Sequence, residues 1–319
     1  MRQAPFEAAH AGEWQEFELF LDSKKTPPFD PAQMPERYRR LCHALALAQD
    51  RRYSPDLVDR LNRLALRGHH LLYENRQRQS GRAVEFLLGG FPRLVRAEWR
   101  VVAAAALLFF GPLALLIAVL QLHPEFVHYL LAPEQIAQFH AMYDPANRRL
   151  GMREADGSLQ MFGFYIWNNV RIGFQTFAGG LAFGVGSVWF LGANGVIIGA
   201  VAGYLTQVGY SETFWSFVSG HSSPELLAIV VSGAAGLRLG LALIAPGGLT
   251  RKSALMAAAK PAVRLMYGAA IMFMFAAFVE AFWSPITEVA FEVKVAVGLA
   301  GWALALAYFL FVGRQRAAR

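Results

Sequence analysis

Apolar runs of membrane-crossing length alternate with polar breaks over the last two thirds of this chain, whereas the first third carries the 3.6-residue periodicity of amphipathic helices. The first long run, Val101 to Leu122, holds no charged residue. Its 22 residues, at about 1.5 Å each, suffice for a hydrocarbon layer of about 30 Å. The apolar pattern resumes at Met161 and, apart from Asn168, Asn169, Arg171 and Gln175, continues to Leu191. Asn194-Gly195 is a turn signal, so Val196 to Val208 reads as a short span crossing back. Leu226 to Ile244, Tyr267 to Phe282 and Val295 to Val312 complete six expected spans. The fold class that follows is an all-α polytopic membrane helix bundle.

Residues 1-98 read as a cytoplasmic helical domain of three or four helices. Phe6, Trp14, Phe17, Phe20 and Leu21 recur at helical spacing before a Lys24-Lys25-Thr-Pro-Pro breaker. That stripe is expected to pack on its own domain, with a membrane-surface or partner-binding role as the alternative. Tyr38, Leu41, Leu45 and Leu47 mark a second helix, and Leu57, Val58, Leu61, Leu64, Leu71 and Leu72 a third. Ser54 and Pro55 fit an N-cap and a first helical position. Residues 99-319 then form the transmembrane bundle. Within them, 123-160 is an outer segment whose half-apolar part, Phe126 to Met142, is expected to lie on the membrane or over the bundle, ahead of a turn at Asp156-Gly157.

Composition supports this division, because 55% of residues are hydrophobic and only 17% charged, which excludes ordinary soluble folds. The formal charge of +7 does not imply nucleic acid, since the basic residues are spread along the N-terminal helices and the edges of apolar runs. Membrane lipids are the expected partners instead. Glu7, Glu13, Glu16, Glu18 and Asp22 make the N-terminus unlike a secretory signal. Arg93, Arg96 and Arg100, the loop with Arg251, Lys252, Lys260 and Arg264, and the tail with Arg314, Arg316 and Arg319 put both termini on the cytoplasmic side of the membrane. The Arg148/Arg149/Arg153 cluster fits that topology worst. A lone Cys42 excludes an internal disulfide, and no paired Cys/His spacing marks a zinc module, so no cofactor is expected.

The candidate chemistry centres on His221-Ser-Ser-Pro-Glu225, an ionisable pair at i, i+4 where the chain enters a long apolar run. Intramembrane carboxylates are functional candidates by default. His221 and Glu225 suit cation binding, proton relay or two metal ligands, while a helix-start role for Glu225 is the structural alternative. Two ligands alone make a weak metal claim, since a catalytic zinc needs three protein ligands and the chain lacks His-Glu-x-x-His, so the metal is left unknown. Asn168, Asn169, Gln175, Asn194 and Glu280 are expected at similar depth or nearby, with Arg171 as counter-ion to a carboxylate and Arg238 deeper. Gly195, Gly199 and Gly203, at i, i+4 and i+8, mark a face for close helix packing.

The order of these features resembles the stage II sporulation protein M family. The residues that carry the likeness are Leu61-Asn62-Arg63-Leu64, His69-His70-Leu-Leu-Tyr73, Phe91-Pro92-Arg93, Asn168-Asn169-Val-Arg171, Asn194-Gly195-Val-Ile-Ile-Gly199 and His221-Ser-Ser-Pro-Glu225-Leu-Leu-Ala228. The family pattern has His-Gly-x-x-Glu at the last of these; Ser222 replaces the glycine. The resemblance implies a polytopic inner-membrane component of a cell-envelope assembly, of the kind that remodels peptidoglycan, with no established chemistry of its own. A scaffold with cell-envelope protein partners is therefore the first expectation. A small-solute or ion transporter using the His221 and Glu225 site is the second, and a metal-dependent intramembrane hydrolase the third. Enzyme activity is not the favoured reading, and an oligomer of identical chains, such as a dimer, is expected.

Overall fold

The computed structural model describes residues 2–22, 28–146 and 155–314. The Lys24-Lys25 breaker, the Arg148/Arg149/Arg153 cluster, Arg316 and Arg319 lie outside the described residues. Those described form helices and turns in two compact units, which divide at Glu85 and Phe86.

The first unit contains α1 (Gln3–Asp22), α2 (Met34–Asp50) and α3 (Pro55–Glu85). Phe6, Trp14 and Phe17 of α1 are buried against Met34, Leu41, Ala44 and Ala48 of α2 and Leu57, Leu61, Leu64 and Ala65 of α3. The α1 stripe therefore serves its own core. Ser54 does not cap α3 with its side chain in the expected way: its hydroxyl accepts from Gln3 Nε2 at 2.7 Å, and Gln3 Oε1 accepts from its N–H at 2.9 Å, so the starts of α1 and α3 are tied together. Around this core Arg37 pairs with Glu16, Arg40 with Glu13 and Glu36, and Arg60 with Glu18. Exposed pairs of this kind contribute up to about 1 kcal/mol each, so the apolar contacts decide the fold.

The second unit opens earlier than residue 99, because Phe91 and Val95 of α4 (Phe91–Ala97) are buried in its core. Then follow α5 (Trp99–Leu122), two short helices α6 (Val127–Leu130) and α7 (Pro133–Tyr143), α8 (Ala155–Ala178), α9 (Val185–Gln207), α10 (Ser211–Ile244), α11 (Arg251–Phe278) and α12 (Phe291–Phe311). Arg96 reaches the other end of the unit's sequence, its guanidinium donating to the Phe309 and Val312 carbonyls at 2.5 and 2.8 Å. These are unpaired carbonyls at a helix C-terminus, where a cation is favoured.

Five helices among the described residues are long and apolar enough to cross a membrane: α5, α9, α10, α11 with its extension to Trp283, and α12. The sixth expected span corresponds to α8. Its 24 residues are long enough, but Asn168, Asn169, Arg171 and Gln175 dilute its apolar content. It packs lengthwise on α10 and α11 all the same.

Two turn assignments are corrected. Asn194-Gly195 lies in the middle of α9, and the reversal occurs fifteen residues earlier around Gly179–Leu181 and Gly184, whose φ is +81°. Inside the helix, the Asn194 side-chain amide donates to the Phe190 carbonyl at 2.7 Å. Gly179 and Gly186 meet so closely that a Cβ on Gly179 would sit 2.6 Å from the Gly186 carbonyl carbon. Asp156-Gly157 likewise falls in the first turn of α8 instead of a loop.

The third correction concerns the centre of the bundle. The sequence predicts a span from Leu226 with Glu225 as a candidate helix start, yet α10 runs unbroken from Ser211 to Ile244. Pro224 is tolerated inside it at the loss of one backbone hydrogen bond to Gly220. The helix touches α5, α8, α9, α11 and α12, and its buried face is made of small residues: Ala228, Ser232, Gly233, Ala234, Ala235, Gly236 and Gly240. Small residues let helices approach at backbone distance, where packing rather than solvent exclusion holds them.

The described part of the 123-160 segment before residue 147 packs on the bundle. Val127, Leu131, Ile136 and Tyr143 are buried against α9 and α10, and His140 of α7 sits between Tyr210 and Tyr204, at 3.0 and 2.8 Å from their hydroxyls. The Thr213 hydroxyl donates to the Tyr143 carbonyl at 2.5 Å.

Candidate functional site

His221 and Glu225 project one helical turn apart from α10, so they face one point. His221 is 4% exposed, and its Nε2 lies 3.7 Å from Glu225 Oε2. Glu280 reaches the same point from the end of α11, where Val279–Trp283 forms a π-helical turn. One ligand atom from each of His221, Glu225 and Glu280 lies within 4.8 Å of the others. The π turn, whose wider ring often accompanies functional side chains, also holds Ser284, whose N–H donates to the Val279 carbonyl at 2.9 Å.

Ser284 is the neighbour that sequence reading missed. Its hydroxyl is 3.0 Å from His221 Nδ1, and its carbonyl accepts from Lys294 Nζ at 2.8 Å. Lys294 is itself 4% exposed although it opens α12. Both residues line a cavity of about 230 Å³ with Glu212, Thr213, Ser216 and Thr287. A polar vestibule thus stops one hydrogen bond short of His221. The signals available were Trp283-Ser-Pro285 between two apolar runs and a lysine directly before the second of them.

Asn169 is 1% exposed, and its Nδ2 finds no acceptor among the described residues. It lies one turn before Gly173, and a Cβ on Gly173 would stand 2.4 Å from Phe273 of α11 and 3.1 Å from the Ser232 hydroxyl of α10. The Ser232 hydroxyl is buried and without a hydrogen-bond partner among the described residues. One turn further along, Ser187 donates to the Thr176 carbonyl at 2.6 Å beside Gly236. Lys294, Ser284, His221, Glu225, Glu280, Asn169, Ser232, Ser187 and Thr176 therefore follow one another along α10 where α8, α9, α11 and α12 meet it.

Other expected members stand elsewhere. Arg171 is exposed, 3.2 Å from Asn168 Oδ1 and 4.8 Å above the Trp167 ring, so it does not join the carboxylates. The reason is helical phase: Asn169 and Gly173 face inward, and position 171 falls about 200° from 169 around α8. Gln175 is exposed on the same side. Asn194 bonds within α9, as described above. Arg238 has its own partner, Glu98, with Nε 3.3 Å from Oε1. Glu225 sits fourteen residues into α10, so a helix-start role does not account for it.

Gly195, Gly199 and Gly203 form a packing face apart from the polar site. A Cβ on each would stand 2.3 Å from the Phe109 carbonyl oxygen, 2.6 Å from the Leu113 carbonyl oxygen and 3.0 Å from Ile117 Cα, all on α5. Gln121 adds a hydrogen bond across the same contact, donating to the Gly203 carbonyl at 2.8 Å.

Fold and site together define a polytopic membrane protein with a buried polar cluster at the junction of its helices. Residues 104–285, more than half of the chain, match the family described as stage II sporulation protein M, and the chain belongs to that family. Residues 4–74 match a second family, described as a domain of unknown function (DUF8413). No curated protein and no solved structure matches the chain.

Proposed function

We propose that this protein is an inner-membrane component of a bacterial cell-envelope assembly whose bundle takes up a cation at His221, Glu225 and Glu280. The observation that carries the cation reading is the convergence of two carboxylates and an imidazole within 4.8 Å, inside the bundle and one hydrogen bond from a polar vestibule. Carboxylates that close in a low-dielectric interior need a compensating positive charge, which a proton or a metal cation supplies. The envelope setting rests on the family. Glu225→Gln keeps the shape and removes the charge. The variant is expected to accumulate and fold like wild type but to fail to complement a deletion; full complementation by folded protein would leave Glu225 without a functional role.

A scaffold role is the second reading, favoured by the N-terminal unit with its closed core of Phe6, Trp14, Phe17 and Leu61 and its own family match. In this reading residues 1–85 are a cytoplasmic module that recruits partners. Both readings place the termini inside, because Arg93, Arg96, Arg100, Arg251 and Lys252 collect at the α5, α10 and α11 ends that precede or follow apolar spans. A cysteine introduced at position 252 is expected to resist impermeant thiol reagents in intact cells, while one at Pro285 reacts. Labelling at 252 from outside would reverse the orientation.

A further inference from the structure

The cation proposed above is open between a proton and a metal, and the surroundings of His221 bear on the choice. A histidine that ligates a metal characteristically donates its other ring N–H to an oxygen that fixes the ring and its tautomer. His221 Nδ1 has such a neighbour in Ser284 Oγ at 3.0 Å. In the tautomer that donates there, Nε2 keeps its lone pair and points toward the carboxylates. It faces Glu225 Oε2 at 3.7 Å, beyond hydrogen-bond length. An imidazole in a 96% buried residue, with its nitrogen 3.7 Å from Glu225 Oε2 in a cluster whose ligand atoms all lie within 4.8 Å, is arranged as a ligand.

We infer that His221, Glu225 and Glu280 form a binding site for one zinc-class divalent cation, held by Nε2 and one carboxylate oxygen from each glutamate. This rests on the cation reading of the same site. Three protein ligands drawn from His and Glu, with a further position left open, are the donor set of exchangeable zinc sites. Calcium and magnesium are disfavoured, since they take about six or more oxygen ligands. Tetrahedral zinc places its ligand atoms about 3.3–3.5 Å apart, given bonds of about 2.0–2.1 Å. The three atoms, within 4.8 Å of one another, need to close by up to about 1.5 Å. Rotation about the flexible Glu225 and Glu280 side chains provides that closure without backbone movement. The open position lies in a site one hydrogen bond from the vestibule of Ser284, Lys294 and Ser216, which offers polar groups to whatever the metal exchanges with water.

The test uses the full chain purified in detergent, stripped with chelator, and dialysed against zinc chloride, with magnesium chloride as comparator. Wild type is expected to retain about one zinc per chain and no magnesium, and to melt at a higher temperature with zinc than without. The zinc absorption edge should report nitrogen and oxygen neighbours with no sulfur, which separates this site from Cys42. His221→Ala and Glu280→Gln should each lose stoichiometric zinc. Ser284→Ala, which leaves all three ligands, should weaken zinc about 10–100-fold. Because wild-type stoichiometry is decisive by itself, a variant that fails to fold does not spare the proposal. Absence of stoichiometric zinc on wild type, or zinc unaffected by both His221→Ala and Glu280→Gln, overturns it. If wild type binds no zinc while Glu225→Gln still fails to complement, the metal falls and a proton remains as the cation; zinc binding together with full complementation by Glu225→Gln has the reverse meaning.

Discussion

Gly199→Leu is expected to prevent accumulation of folded protein. The first added carbon would meet the Leu113 carbonyl oxygen at 2.6 Å, and two backbones cannot yield as a side chain does. Ordinary overpacking costs about 1–3 kcal/mol, and separating two whole helices exceeds that range because the neighbouring contacts at Gly195 and Gly203 open too. Gly192→Leu is the matched control on the same helix, since a Cβ there meets nothing within 4 Å. The comparison is made by size-exclusion profile and thermal unfolding in detergent. Equal melting temperatures for the two variants would show that the α5–α9 contact does not hold the bundle.

The second large effect belongs to the other unit. Phe17 is 2% exposed and lies beneath Gly68 of α3, where a Cβ would meet the Phe17 ring at 3.0 Å and Tyr38 of α2 at 2.9 Å. Truncating a buried phenylalanine to alanine costs about 3–5 kcal/mol. A unit of this size has only about 5–15 kcal/mol to lose. Phe17→Ala should therefore collapse hydrogen-exchange protection at Leu41, Leu61 and Leu64, while amides around Ala234 in α10 keep theirs. Unchanged protection at Leu61 would mean that α1 is not part of the core.

How much was legible in the sequence varies with how local the signal is. Val101 to Leu122 announces itself, because an uncharged apolar run has one solution in a membrane. The α1 stripe was equally readable, since its period matches its buried face. Asn194-Gly195 misled because the dipeptide favours turns only when nothing else wants the glycine; here the Phe109 carbonyl requires a residue without a Cβ, and Asn194 bonds back to Phe190. Pro224 makes a related point. It fits a first turn, but close packing on α10 keeps the helix intact through it. His221, Glu225 and Glu280 were candidates from their chemistry, whereas Arg171 failed on phase, which is fixed by which face of α8 meets α10. Ser284 carries no pattern at all: its importance comes from a π turn and a contact across 63 residues of sequence.

The length of α10 has one more consequence. Its 34 residues extend about 51 Å, while the hydrocarbon layer is about 30 Å thick. Measured back from Ile244, an untilted helix leaves that layer about 20 residues earlier, near Glu225. The His221 cluster then lies at the boundary between acyl chains and headgroups instead of at the bilayer midplane. Hydrophobic mismatch becomes a variable of the site: lipid chain length is expected to change how deep in the bilayer this part of α10 sits.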